Sequence, residues 1–387
     1  MAAGGTATAP QGAGHRLDAL DGLRGLTALG IVVLHVWMYV YGDLGKPDKT
    51  FTDVLIGELR IGVPVFFALS GFFVHRAFVA ASLDGRPRPH LGHYALRRAA
   101  RILPAYWVAV LGAFLLLSHL AHPMGVTAGE LPVFLLLAQE WFPETAKQLD
   151  PPMWTLGVEL TFYALLPLVA LVTLRLARRG QALVCGGVVA AGVGFVAWNA
   201  LAPWNPVLDD KLPVHLAEFG AGMLVATLTH GRQASRRTGR LLLGGGLALV
   251  ALNAWWHGYA VGPQTLRDVL ADQPAVLGIA MVIASYALVA RRARLLAGAP
   301  ARWAGKLSYG TYLAHYLVIF WLRTTDRWPE TLGGALVAVF AITLPLALLS
   351  WVVVEQPAIR WAAARTTRGR RTASRTHPRT QARPATA

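Results

Sequence analysis

Apolar runs of bilayer-spanning length recur ten times along the chain, at roughly 23–41, 54–79, 102–120, 157–174, 182–201, 213–229, 241–257, 274–290, 306–322 and 333–353. Each holds about 17 to 25 predominantly apolar residues, the length a helix needs to cross ~30 Å of hydrocarbon. The pattern predicts an all-α integral membrane protein with about ten transmembrane helices. The second and fourth runs are interrupted by polar or turn residues. Leu131 to Ala138 is too short to cross and reads as a re-entrant or interfacial piece.

Basic residues alternate with these runs. Even-numbered spans are followed by Arg76, Arg86, Arg88, Arg97, Arg98 and Arg101, then Arg175, Arg178 and Arg179, then Arg232, Arg236, Arg237 and Arg240, then Arg291, Arg292, Arg294, Arg302 and Lys306. The opposite connections carry only Lys46, Lys49, Lys147, Lys211, Arg267, Arg323 and Arg327. Cytoplasmic loops of membrane proteins are enriched in Lys and Arg, so both termini are expected to be cytoplasmic. Residues 1–16 offer neither a charged n-region nor an apolar h-region, which leaves the first span to insert as an uncleaved anchor. The tail 362–387, arginines among Thr, Ala and Pro, has too little apolar content to fold alone and is expected to lie disordered against anionic headgroups. The chain therefore divides into a disordered segment 1–16, a ten-span domain 17–361 and a basic tail 362–387.

Composition agrees with a membrane solvent. Of 387 residues, 55 % are hydrophobic and 14 % charged, outside the range of ordinary soluble domains. The net charge of +16 would suggest nucleic acid in a soluble protein; here the positive residues sit in short loops, where lipid orientation accounts for them. Cys185 is the single cysteine, so neither an intramolecular disulfide nor a cysteine-based metal site is available.

Chemistry is sought where ionisable residues enter the apolar runs, because each is costly there and marks a site or a polar cavity. The first span, L-R-G-L-T-A-L-G-I-V-V-L-H-V-W-M-Y-V-Y, carries Arg24 at its mouth and His35 inside. Eleven residues amount to three turns plus about 20°, which puts both on one helix face roughly 16 Å apart. In R-R-A-A-R, Arg98 and Arg101 are three apart and share a face, and guanidinium forks suit phosphate oxygens; as loop arginines they serve equally as topological anchors. Glu159 lies a turn into the fourth span, where it would orient a histidine, bind a hydroxyl or pair with an arginine such as Arg60. Ser70 and Gly71 in the second span form a small pair suited to close helix approach. Tyr309, Tyr312 and His315 recur at i, i+3 and i+6 in the ninth and can share a polar face. Glu355 reads as a helix end or local ion pair. His119 and His122 lack a third ligand, and no metal is expected.

Six motifs stand in a fixed order: Arg24-x10-His35, F-F-A-L-S-G-F-F around Ser70, R-R-A-A-R-I-L-P-A-Y-W from Arg97, W-T-L-G-V-E-L-T-F-Y from Trp154, L-S-Y-G-T-Y-L-A-H from Leu307, and V-E-Q-P near the end. In this order the chain resembles the acyltransferase 3 family of membrane O-acyltransferases from Asp18 to Arg360. The resemblance implies a ten-span enzyme of the bacterial cell membrane that takes an acyl group from cytoplasmic acyl-CoA, acetyl- or propionyl-CoA, and places it on a hydroxyl. It implies Arg24 and His35 as the essential pair, with Glu159 beside them. Arg24, Arg98 and Arg101, with Ser70, Tyr309, Tyr312 and His315, are then the candidate donor-binding residues. Where relatives read W-S-L-S-V-E-x-Q-F-Y, this chain has Thr155, Gly157, Leu160 and Thr161, so acceptor contacts there differ while Glu159 is retained. Compactness and the Ala, Gly and Arg bias resemble the branch that acylates macrolide antibiotics, on the lactone 3-hydroxyl or the mycarose sugar; glycan-modifying relatives are the alternative acceptor class.

On this reading neutral His35 removes the acceptor proton, a role typically worth ~10² to 10⁴ in rate, with an acyl-histidine intermediate as the alternative route. The competing class is a transporter or flippase that uses the same membrane-depth charges to move a polar solute.

Overall fold

The computed structural model describes residues 12–42, 50–202, 208, 211–259, 272–289 and 296–375, and for 12–17 and 368–375 the backbone alone. Lys46, Lys49, Arg267, Arg291, Arg292, Arg294 and the tail beyond Arg375 lie outside the described residues. Among the described residues the chain is helical, with no strand.

In chain order the helices are α1 (Gly12–Tyr41), α2 (Phe51–Gly57), α3 (Gly62–Leu83), α4 (Leu91–His119), α5 (Leu131–Leu135), α6 (Trp154–Thr173), α7 (Arg178–Leu201), α8 (Leu216–Thr229), α9 (Arg236–Tyr259), α10 (Gln273–Leu288), α11 (Ala299–Thr324), α12 (Leu332–Ser350) and α13 (Gln356–Arg375). All ten expected runs fall on helices. Eight helical segments are long and apolar enough to cross a bilayer by length and composition. The other two are α10, with 16 residues, and α11, with 26. In α11 the apolar character is diluted by Lys306, Ser308, Tyr309, Thr311, Tyr312 and His315, of which Ser308, Tyr309 and Tyr312 line the cavity described below.

The interruptions have physical causes. The second span breaks at a 3-10 turn, Glu58–Ile61, where Arg60 and Glu58 turn away to polar partners on α9 and beside α10. The fourth opens with a 3-10 turn over Pro151–Met153 and then runs as one helix through Pro167. The apolar piece at 131–138 is a short helix docked on α4, its carbonyls at Phe134 and Leu135 accepting from Tyr106 Oη (2.5 Å) and Trp107 Nε1 (3.0 Å). The chain expected to leave the bundle after Trp361 is instead helical to Arg375, and Thr366 on it accepts from Arg97 Nε and Nη2 at 3.1 and 2.8 Å.

Helices α3 and α8 form the centre, each about two-thirds buried, while α7, α9 and the long α12–α13 rod are the least buried. Leu183, Leu201, Leu241 and Val337 stand exposed on those outer helices, as a hydrocarbon surround requires. Close approach at the centre depends on glycine: a Cβ on Gly222 would fall 1.9 Å from the Ala68 carbonyl oxygen, and one on Gly71 2.2 Å from that of Phe219. The Phe67, Phe162 and Phe219 rings stack across this junction at 4.6 and 4.0 Å between centroids.

Helices α1 and α11 run parallel in tight contact. A Cβ on Gly25 would meet the Gly305 nitrogen at 2.5 Å, and one on Gly305 the Asp21 carbonyl oxygen at 2.3 Å. Ten residues further along both helices, His35 meets His315, and beyond them Tyr39 meets Tyr316. At the end carrying the basic loops, Arg178 Nη1 donates to the carbonyls of Thr227 and His230, and His230 bonds Asp84.

Candidate active site

A cavity opens between α1, α3, α6 and α11, lined by Arg24, Val63, Phe66, Phe67, Thr155, Leu156, Glu159, Ser308, Tyr309 and Tyr312. Four residues singled out from the sequence, Arg24, Glu159, Tyr309 and Tyr312, therefore share one space although they come from three helices far apart in the chain.

Glu159 is the polar centre. Its Oε1 accepts from Ser70 Oγ and from Tyr163 Oη, and Tyr163 Oη also lies 3.2 Å from Ser70 Oγ. Ser70 thus contributes a hydroxyl as well as a small pair: Gly71 admits α8 while the neighbouring serine faces α6. Glu159 does not pair with Arg60, which is held by both oxygens of Asp272 at 3.0 and 2.6 Å and by His257, in a separate polar knot with Glu58 and Asn253. The physical reason is the 3-10 turn, which aims Arg60 at α9 and away from α6.

Three guanidiniums gather on the cavity's flank. Arg98 stands 5.3 Å from the centroid of the Tyr163 ring. Arg101 is within electrostatic range of Arg24, Arg98, Tyr163 and Glu159. Arg24 Nε is buried with no hydrogen-bond partner. Arg97, adjacent in sequence, is instead taken up by Thr366 on α13. Three clustered cations with an unpartnered N–H fit a polyanion such as a phosphorylated carrier, bound by charge-assisted forks.

Tyr309 and Tyr312 brace the wall. Tyr309 Oη donates to the Ile102 carbonyl at 2.9 Å, beside Arg101 on α4, and Tyr312 Oη to that of Pro152 at 2.6 Å, with Thr155 Oγ1 2.9 Å away. His315 does not join them in the cavity. Six residues at ~100° each turn it about 120° round α11 from Tyr309, toward α1. There its Nε2 lies 2.8 Å from His35 Nδ1, the rings stacked at 5.1 Å with a 12° tilt. His315 is wholly buried. The structure places it against His35 and not among the cavity-lining residues. The Tyr312 ring, 5.8 Å from that of His315, connects the cavity wall to the histidine pair, and the Tyr316 edge packs on His35 at 5.1 Å.

Two acidic residues on the site's margin were not singled out as site residues. Glu355 follows Ser350 in a π-helical turn, Trp351–Glu355; its Oε1 accepts from Ser350 Oγ at 3.0 Å and faces Gly310, where a Cβ would stand 3.1 Å away. It supplies a carboxylate within range of Arg101. The V-E-Q-P motif was the available signal, but the π turn that aims the side chain inward leaves no mark in the pattern. Asp150, 2 % exposed, has neither carboxylate oxygen hydrogen-bonded; burial pushes its carboxyl well above the usual carboxylate range. Its position in an irregular connection concealed it.

Comparison with known proteins bears on the family. The family profile described as acyltransferase domain matches residues 17–354. Nodulation protein 10 of Rhizobium leguminosarum bv. viciae is 28 % identical over 376 residues, covering 90 % of this chain and 94 % of its own. Acyltransferase MdmB of Streptomyces mycarofaciens is 27 % identical over 383 residues, covering 89 % and 92 %. Peptidoglycan O-acetyltransferase OatA of Listeria monocytogenes is 23 % identical over 373 residues, covering 88 % of this chain and 55 % of its own. No solved structure matches. With the profile covering most of its length, the chain belongs to the acyltransferase 3 family of membrane acyltransferases.

Proposed function

We propose that the protein is an acyl-CoA-dependent O-acyltransferase of the bacterial cell membrane that moves a small acyl group, acetyl or propionyl, onto a hydroxyl of a macrolide antibiotic, the lactone 3-hydroxyl or that of the mycarose sugar. The observation that carries the reading is the joining of Arg24, Glu159, Tyr309 and Tyr312 in one cavity, with Arg98 and Arg101 on its flank and the histidine pair behind Tyr312. The macrolide acceptor is supported by the sequence resemblance and by the match to Acyltransferase MdmB along nearly the full length of both chains.

On this reading the arginines hold the phosphates of CoA at the basic end and the slender pantetheine arm enters the cavity. Positioning of this kind lowers the barrier by removing translational freedom before the chemical step. His35 takes the proton of the acceptor hydroxyl as the oxygen attacks the thioester carbonyl, forming the C–O bond. The tetrahedral intermediate collapses with cleavage of the C–S bond, and the proton passes from His35 to the departing thiolate. Glu159, fixed by Ser70 and Tyr163, orders the arginine side of the site.

The test is ester formation by purified protein in nanodiscs with radiolabelled acetyl- or propionyl-CoA and a panel of macrolide and glycan acceptors. Labelled macrolide ester that disappears in His35→Ala supports the reading. Ester on glycan alone replaces the acceptor, and transport of unmodified solute with no ester replaces the enzyme.

A further inference from the structure

We infer that His315 is a positioning residue that fixes the tautomer of His35 and makes its far nitrogen, Nε2, the base. The inference rests on the reading of His35 as the proton acceptor and adds which atom accepts and why.

His315 Nδ1 lies 2.7 Å from the Tyr312 carbonyl oxygen, one turn back on the same helix. A carbonyl only accepts, so Nδ1 must carry the proton. A neutral imidazole has one N–H, which leaves Nε2 of His315 as a lone pair. That lone pair is 2.8 Å from His35 Nδ1, so His35 must donate from Nδ1. His35 then holds its own lone pair on Nε2, the nitrogen facing away from His315. Each step is forced by the preceding one, and the chain starts at a backbone atom that cannot titrate.

The arrangement performs the orienting task that a carboxylate performs in a Ser-His-Asp triad, where loss of the correct tautomer is costly, but without placing an anion at membrane depth. Among the described residues no carboxylate hydrogen-bonds either ring. A buried carboxylate would carry a large desolvation penalty there. The second imidazole instead accepts an N–H bond that strengthens when His35 becomes cationic. The rings of Tyr312 and Tyr316 pack against His315, and that of Tyr316 also against His35, which limits rotation of the pair.

The experiment uses the full chain in nanodiscs, with His315→Leu, His315→Gln and His35→Ala compared in the ester-forming assay. His315→Leu is expected to lower kcat by about 100-fold or more, the range of general-base help, while the KM for acyl-CoA stays within about threefold. His315→Gln places an amide oxygen where it can accept from His35 Nδ1 and should recover most of the loss. Independently, ¹⁵N-histidine spectra of the wild type should give His35 a protonated Nδ1 and a pyridine-type Nε2. A protonated Nε2 in the wild type, or His315→Leu with unchanged kcat while His35→Ala is inactive, overturns the inference. Activity retained in His35→Ala overturns the underlying reading instead. Should His315→Leu fail to fold, the glutamine variant and the wild-type spectrum decide.

Discussion

Gly25 on α1 and Gly305 on α11 touch at an offset of 280 residues, and His35 and His315 keep that same offset ten residues further along. Two parallel helices of equal rise hold register from one contact to the next, so the glycine junction sets the height at which the imidazoles meet. A methyl group on Gly25 would lie 2.5 Å from backbone atoms of Ala304 and Gly305. Gly25→Ala should therefore cost about 1–3 kcal/mol by overpacking, read as a lower thermal midpoint in detergent, and lower kcat as well. Gly112→Ala on α4, whose new methyl meets nothing within 4 Å, should change neither.

Glu159 accepts from two hydroxyls at once, and hydrogen bonds to a charged group contribute ~1.5–3 kcal/mol each. Glu159→Gln is expected to lower kcat/KM by roughly 10- to 100-fold. Ser70→Ala and Tyr163→Phe should each cost less, and the two together should be non-additive, because both donors address the same oxygen. A double-mutant cycle on initial rates measures the coupling; strict additivity would separate Ser70 from the site.

The flank arginines make a prediction that divides neighbours in sequence. Arg98→Gln or Arg101→Gln should raise the KM for acyl-CoA about tenfold, the loss of one charge-assisted contact, with acceptor KM unchanged. Arg97→Gln should leave donor KM alone and loosen α13, since its partner is Thr366. Donor saturation curves for the three variants, with limited proteolysis of the C-terminal helix, check both halves. Unchanged donor dependence in Arg98→Gln and Arg101→Gln would return them to a topological role.

Asp150 gives a pH-dependent outcome. Burial raises its folded pKa well above that of an ordinary aspartate. The stabilising contribution of its protonated form is thus complete below the unfolded pKa and is lost as pH rises through the folded one. Asp150→Asn cannot ionise, so its thermal midpoint should exceed that of the wild type at neutral pH, and the difference should shrink toward about pH 4. A midpoint lowered by the substitution would reveal a partner for the carboxylate.

The positions of the helices were readable because a bilayer imposes a length that apolar runs must meet. What the pattern could not contain was which helix faces which. Arg60 and Glu159 are both charges within spans and looked like partners, yet a single 3-10 turn directs Arg60 to Asp272 on the far side. Tyr309, Tyr312 and His315 were read as one face, and the 120° between the first and last sends them to different neighbours. Arg24 and Glu159 were legible singly, as charges entering apolar runs, and the cavity they share was not, because it depends on which helices meet. Glu355 was legible only as a helix end or ion pair and Asp150 not at all, because a π turn and an irregular connection aim them, and neither follows from periodicity.

The parallel α1–α11 contact also limits how the enzyme can open during turnover. Sliding either helix by one turn would drive the glycine junction into backbone overlap and part the imidazoles in the same movement. These two helices must therefore travel as a single stave, and any breathing that admits reactants or releases products falls to the staves around them, α3, α4 and α6.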